Sequence, residues 1–249
     1  MRRRLIQVQY KGFTLIEVLV AISIMAVMAV LSWRGLDGMT QTQTRLQQRA
    51  DEVLTLQAGL NQWGADLDAL MQLPQAQALE WDGRALRMTR RSATAFAPGD
   101  VDSTAPGASQ SPSDESIWVV AWARRDEAGL GQWLRWQSPP LRTRGEVDTA
   151  WAAAAQWAQN PGDALKAREV VVSTLSQWQI FFYRGDAWTN PLSSEGGDAS
   201  ALALSRGANA LTAAPIPDGV RLVLTLPPGQ AISGTLTRDW VRPTLGGRK

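Results

Sequence analysis

Neither cysteine nor histidine occurs among the 249 residues. Without cysteine there are no disulfides, no thiol nucleophile and no thiolate metal site, so stability must come from packing. Without histidine there is no Ser-His-Asp triad, no His-ligated zinc and no imidazole acid–base chemistry. Lysine is scarce as well. Beyond residue 12 only Lys166 and Lys249 remain, which leaves little material for a Ser-Lys dyad. The 13 prolines avoid the stretch from Phe13 to Leu73 entirely. What the chain has in excess is tryptophan, 12 against 2 tyrosines and 4 phenylalanines.

The positive charge is uneven. Taking Arg2, Arg3, Arg4 and Lys11 from 25 basic residues leaves 21 against 23 acids. The pI near 9.4 therefore belongs to the first twelve residues. The remainder has no electrostatic footprint for nucleic acid.

From Leu15 to Leu31 only Glu17 and Ser23 interrupt an apolar run. Phe13 to Trp33 is 21 residues, and a bilayer core takes about 20 helical residues. Basic residues precede the run, so its N-terminal side is expected in the cytoplasm and the rest of the chain in the periplasm. A secretory signal peptide would instead be cut after a core of about 7–15 residues, at small side chains. Here the run is longer and continues into Ser32-Trp33-Arg34-Gly35, which favours a retained anchor.

Glu17 is costly in that setting. A carboxylate inside a span costs about 2.5–3.5 kcal/mol on insertion scales, so a partner is expected for it. The alternative is an acid that snorkels to the interface. Lys11-Gly12-Phe13-Thr14-Leu15-Ile16-Glu17 resembles the prepilin peptidase signature of type IV pilin-like proteins. The basic residue, the glycine, the phenylalanine and the glutamate all fall where that signature has them. The resemblance implies cleavage between Gly12 and Phe13 by prepilin peptidase and N-methylation of Phe13, and on physical grounds Glu17 is expected to set the register when helices stack. Cleavage would place an ammonium at Phe13, and Glu17 of the same or a neighbouring subunit could neutralise it in a low dielectric.

Beyond the span, Leu46, Val53, Leu60 and Leu67 recur every seven residues, with Leu56, Trp63 and Leu70 offset by three. This stripe predicts one nearly continuous helix to about Leu70, with a bend at Gly35 and Gly38. A coiled-coil dimer would use such a stripe. Packing on the chain's own sheet is the preferred reading, since a β-rich region needs a covering layer.

After Pro74 the period changes to two. A hairpin is expected around Leu79–Met88 with Asp82-Gly83 as its turn. Further strands are expected at 117–124, 133–136, 170–175, 178–183, 220–226 and about 232–241. A helix is expected at 148–159, capped by Asp148 and stopped by Pro161. The fold class is therefore α+β: a long N-terminal transmembrane helix packed on antiparallel sheet. The expected organisation is a cleaved leader 1–12, a membrane part 13–33, a periplasmic helical part 34–72 and a β-rich domain 73–249. A Pro/Gly/Ser-rich mobile loop at 97–116 and a second long loop at about 191–218 lie inside that domain.

Trp33-Arg34-Gly35-Leu36-Asp37-Gly38-Met39 is similar to the segment that follows the span in the J-type minor pseudopilin of type II secretion systems. Residues 180–188 (Ile180-Phe181-Phe182-Tyr183-Arg184-Gly185-Asp186-Ala187-Trp188) and the Pro217-Asp218-Gly219 lead into a late strand resemble that family's C-terminal half. The resemblance implies a structural subunit at the tip of a periplasmic pseudopilus, partnered by the I-type and K-type minor pseudopilins and the major pseudopilin. The loop 97–116 departs from the family pattern. A minor pilin of a type IV pilus is the alternative, though such proteins often carry a C-terminal disulfide.

No catalytic residue, metal ligand set or cofactor is expected. Asp100 and Asp102 match no EF-hand loop, so calcium there is a weak signal. Sugar binding by exposed indoles is the other alternative, but Trp118, Trp122, Trp133, Trp136 and Trp178 fall at alternating strand positions, which favours core packing.

Overall fold

A computed structural model describes residues 12–74, 76–91, 116–127, 129–193 and 215–243. Residues 1–11 of the leader, most of the loop 97–116 with Asp100 and Asp102, most of the loop 191–218, and Lys249 lie outside the described residues. The chain divides into two compact units, one up to Ala50 and one from Asp51 onward. The helix α1, Leu15–Asp68, contributes to both.

In the first unit every described residue of α1 is exposed. Its most apolar window has a mean hydropathy of 2.5 and is not buried at all inside the protein. Ile16, Leu19, Ile22 and Met25 show water what a soluble helix would hide, and the helix is long and apolar enough to cross a membrane. Ser23, the one hydroxyl in the run, donates to the Leu19 carbonyl at 2.8 Å, so its polar group is satisfied within the helix. The helix passes Gly35 and Gly38 without interruption.

The second unit holds two antiparallel sheets. The first runs β1 (Leu79–Trp81), β2 (Ala85–Arg91), β3 (Ile117–Glu127), β4 (Leu130–Gln137) and β5 (Glu169–Thr174) in that order. Between β4 and β5 the chain forms α2 (Arg144–Gln159) and the short α3 (Asp163–Lys166). The second sheet has the order β7 (Ala187–Thr189), β6 (Gln177–Arg184), β8 (Gly219–Leu226), β9 (Gly234–Val241).

Strand alternation builds two cores. Val120 and Trp122 of β3 join Leu56, Trp63 and Leu67 of α1 and the inner residues of β6 and β8, such as Ile180 and Leu222. Val119, Ala121 and Ala123, on the opposite face of the same strand, join Val147, Ala150, Ala154 and Trp157 of α2. The first sheet is therefore covered on both faces, which explains why β3 is apolar at nearly every position. The stripe of α1 is consumed here: Leu56, Trp63 and Leu67 are buried and Leu60 and Leu70 pack against the same cluster. This overturns a coiled-coil role for those residues.

Three expectations need correction. The helix α1 stops at Asp68, two residues before Leu70, because Leu70 bridges to Arg90 and Met71 donates to the Thr89 carbonyl. The chain trades helix for sheet pairing there. The hairpin apex is Gly83-Arg84, one residue later than expected. Asp82 is not a central turn residue; its Oδ1 accepts from the backbone of Arg84 and Ala85 at 2.9 and 2.8 Å. Gly83 takes φ 90°, open only to glycine without strain. The helix α2 begins at Arg144, and its cap is Thr143 rather than Asp148. Glu146 closes a reciprocal capping box that outcompetes a start at Asp148. The strand β7 and the helix α3 had no sequence signal strong enough to be expected.

Candidate functional site: the polar start of the N-terminal helix

The helix α1 begins with Thr14-Leu15-Ile16-Glu17, a second T-x-x-E box. The backbone N–H of Glu17 donates to Thr14 Oγ1 at 3.4 Å. In return Glu17 Oε2 accepts from the Thr14 backbone N–H at 3.3 Å and from its hydroxyl at 3.2 Å. Thr14 is thus the N-cap and Glu17 the third helical residue. The box satisfies donors that would otherwise be orphaned at the helix start. The carboxylate also sits at the positive end of the helix dipole, which favours it. Glu17 is therefore held in place by its own chain through the T-x-x-E box, a capping role that the sequence reading did not include.

Phe13 precedes this cap and is 86% exposed. Nothing lies within 4 Å of where a side chain at Gly12 would begin. The peptide bond between them is thus free of packing from the described chain. Of the residues expected to act together, Gly12, Phe13 and Glu17 fall within six positions at one helix end, joined by Thr14. An ammonium formed at Phe13 would adjoin the Thr14 N–H that the Glu17 carboxylate already holds.

In the second unit the most polar buried point is Asp66, which pattern reading missed because it lies on the apolar face of α1. It is fully buried and accepts five hydrogen bonds from four side chains. Arg135 forms a bidentate pair with it, Nε at 2.7 Å and Nη2 at 2.9 Å. Arg90 also pairs with it. Trp122 Nε1 and Gln62 Nε2 donate at 3.0 and 2.8 Å. A buried carboxylate bonded this fully is a structural tie between α1, β2, β3 and β4. Glu169 makes a smaller version, accepting from Arg125 at 2.7 Å and Trp157 Nε1 at 2.6 Å.

The indoles mostly pack. Trp122, Trp133 and Trp136 are buried, and Trp118 and Trp178 are half-buried. Lys166 lies in α3 and pairs with Glu127 at 3.3 Å. Among the described residues no group of three or more acidic residues is placed to hold a metal ion.

No curated protein matches the chain. A family model described as the prokaryotic N-terminal methylation motif matches residues 9–33, a span that contains Gly12, Phe13, Thr14 and Glu17. The N-terminal segment of this chain thus carries a type IV pilin-like prepilin signal, on a helix long and apolar enough to span a membrane.

Proposed function

We propose that the protein is a minor pseudopilin of the J type, a structural subunit at the tip of a type II secretion pseudopilus. The observation that carries the reading is a methylation motif whose only acid, Glu17, caps the helix α1 at the start of an exposed run, 18–31, that is apolar save for Ser23. Prepilin peptidase would cut between Gly12 and Phe13 and methylate Phe13. Residues 13–33 would stay in the inner membrane, and the parts 34–72 and 73–249 would follow on the periplasmic side.

The uncovered apolar side chains then have a purpose. Lipid covers them first, and neighbouring helices cover them after assembly. Glu17 gives each helix a single acidic mark in the span. A register that leaves that mark unpaired is penalised, so the correct stagger is selected. The I-type and K-type minor pseudopilins and the major pseudopilin are the partners this role requires.

The test is intact mass and N-terminal sequencing of the membrane form, followed by co-purification with the I-type and K-type subunits. A methylated Phe13 start with both partners supports the reading. A chain that still begins at Met1, or one trimmed near Ser32 and released, overturns it. Co-purification with pilus pilins alone would assign the protein to a type IV pilus.

A further inference from the structure

The first sheet ends in β5, which pairs with β4 on one side and with no described strand on the other. Such an edge turns alternate N–H and C=O groups outward without partners. Charge or proline commonly blunts an edge. The middle of β5 instead shows Val170 and Val171, 61% and 51% exposed. Beside them a groove of about 310 Å³ runs between β5 and α1. Thr55, Ala58 and Gly59 give it a helix wall of little bulk, and Trp122 and Arg135 line it from the sheet.

Trp122, Arg135 and Val170 stand opposite one another across β3, β4 and β5, so all three share the face that α1 covers. Arg135 is only partly committed. Its Nε and Nη2 hold Asp66, and Nη2 also reaches Gln137 Oε1 at 2.8 Å. Its Nη1 donates to nothing among the described residues, yet it is not sealed off as Arg125 Nη1 is. The side chain keeps 13% of its surface open. Asp66 also serves Arg90, so two guanidinium groups share one carboxylate and the cluster holds one positive charge in excess.

We propose that β5 and this groove receive an extended segment of a partner polypeptide, which adds a strand to the sheet and directs a glutamate at Arg135. A free backbone ladder is complementary to another backbone. The excess charge is complementary to an acid on the face of α1, and the residue opposite Val170 is the one that falls in that row. A second copy of β5 supplies no such acid. On that face it carries Val170, Val172 and Ser173, while Glu169 lies on the other face and is bonded to Trp157. The inference stands on the second unit alone and does not depend on processing at Gly12.

The test uses the full chain in nanodiscs of zwitterionic lipid, with fluorescence anisotropy of a labelled, amidated peptide, Val-Thr-Glu-Thr-Val. Its glutamate and both valines share one face of a strand. Saturable binding is expected. Replacing the glutamate by glutamine should weaken it about tenfold, the scale of one charge-assisted contact. N-methylation of both threonines blocks one edge of the peptide, and N-methylation of the glutamate and the last valine blocks the other. One pattern should abolish binding and the other should leave it. Ala58 is exposed on α1, so Ala58→Trp should fill the groove without entering the core and should remove binding. No saturable binding at millimolar peptide overturns the proposal. Equal effects of the two methylation patterns overturn it, because simple apolar adhesion has no preferred edge. Equal binding of the glutamate and glutamine peptides also overturns it. So do dimers of the chain that Ala58→Trp abolishes in the absence of peptide binding, which would give the edge to a second copy.

Discussion

Two acids in one helix carry opposite burdens. Glu17 is exposed to whatever surrounds the helix and, among the described residues, is bonded to Thr14. Asp66 is sealed from solvent and bonded to two arginines, an indole and an amide. Removing the Asp66 charge leaves two guanidinium groups, each largely buried, without their counterion. Breaking a buried pair this way costs about 3–5 kcal/mol. Asp66→Ala should therefore shift the denaturant midpoint of the full chain far to lower concentration, as followed by tryptophan fluorescence. Glu17 allows a finer separation. Glu17→Gln keeps an acceptor for the Thr14 N–H and hydroxyl but loses the charge, whereas Glu17→Ala loses both. If the charge sets register, both variants are cleaved and methylated normally and both fail to assemble. If the cap alone matters, Glu17→Gln assembles like wild type. Fibre assembly scored beside N-terminal mass separates the two outcomes.

At the scale of elements, closeness of approach decides what the sequence pattern leaves open. The heptad stripe of α1 was readable as apolar, but not what it packs on. Gly59 supplies the missing piece, because a Cβ built there would fall 2.1 Å from Val172 Cγ1. The helix therefore comes against β5 at a point where only glycine fits. Valine is stiff about χ1, so Val172 has little freedom to move aside. Gly59→Ala should cost about 1–3 kcal/mol through overpacking, despite alanine's better helix propensity. A thermal melt of the variant measures it, and a stabilised protein would show that the helix can lift off the strand without penalty. The same reasoning explains what was legible elsewhere. The alternating stretch 220–226 fell where β8 lies because alternation records burial directly, and 117–124 fell where β3 lies as a short continuous apolar run, the mark of a strand buried on both faces. The start of α2 was misread because Asp148 is a good cap residue in isolation. Thr143 wins with Glu146 three positions on, and the Glu146 carboxyl is held below its ordinary range by the backbone N–H groups of Arg142 and Thr143. Asp66 was invisible for a related reason: its partners Arg90, Trp122 and Arg135 are 24 to 69 positions away and meet it only once the sheet has formed. At the N-terminus, by contrast, Gly12, Phe13 and Glu17 are local in sequence, so that site could be read without any fold.

For the whole molecule, the absence of histidine sets the response to pH. No side chain of this chain has an ordinary titration point between about pH 5 and 8. The carboxylates that shift outside the membrane segment shift downward. Asp239 is lowered by the Arg221 guanidinium that holds it at 2.7 Å, and Glu127 is lowered by Arg125 and then Lys166. Glu146 is lowered by backbone donors. A carboxyl whose folded value lies below its unfolded one binds protons more readily when the chain unfolds. Its stabilising share is then complete above the ordinary range near pH 4 and is lost as pH falls through the folded value. All three groups carry the same sign, so among the described carboxylates no resolved shift offsets them on the acid side. Denaturant midpoints of the full chain should be flat from about pH 6 to 8 and fall steadily below about pH 4. Arg221→Gln should flatten the acid limb slightly, because it removes the cause of the Asp239 shift. A midpoint that varied strongly around neutrality would require a shifted carboxyl that these contacts do not provide, and would contradict the assignment of these ion pairs as the source of pH dependence.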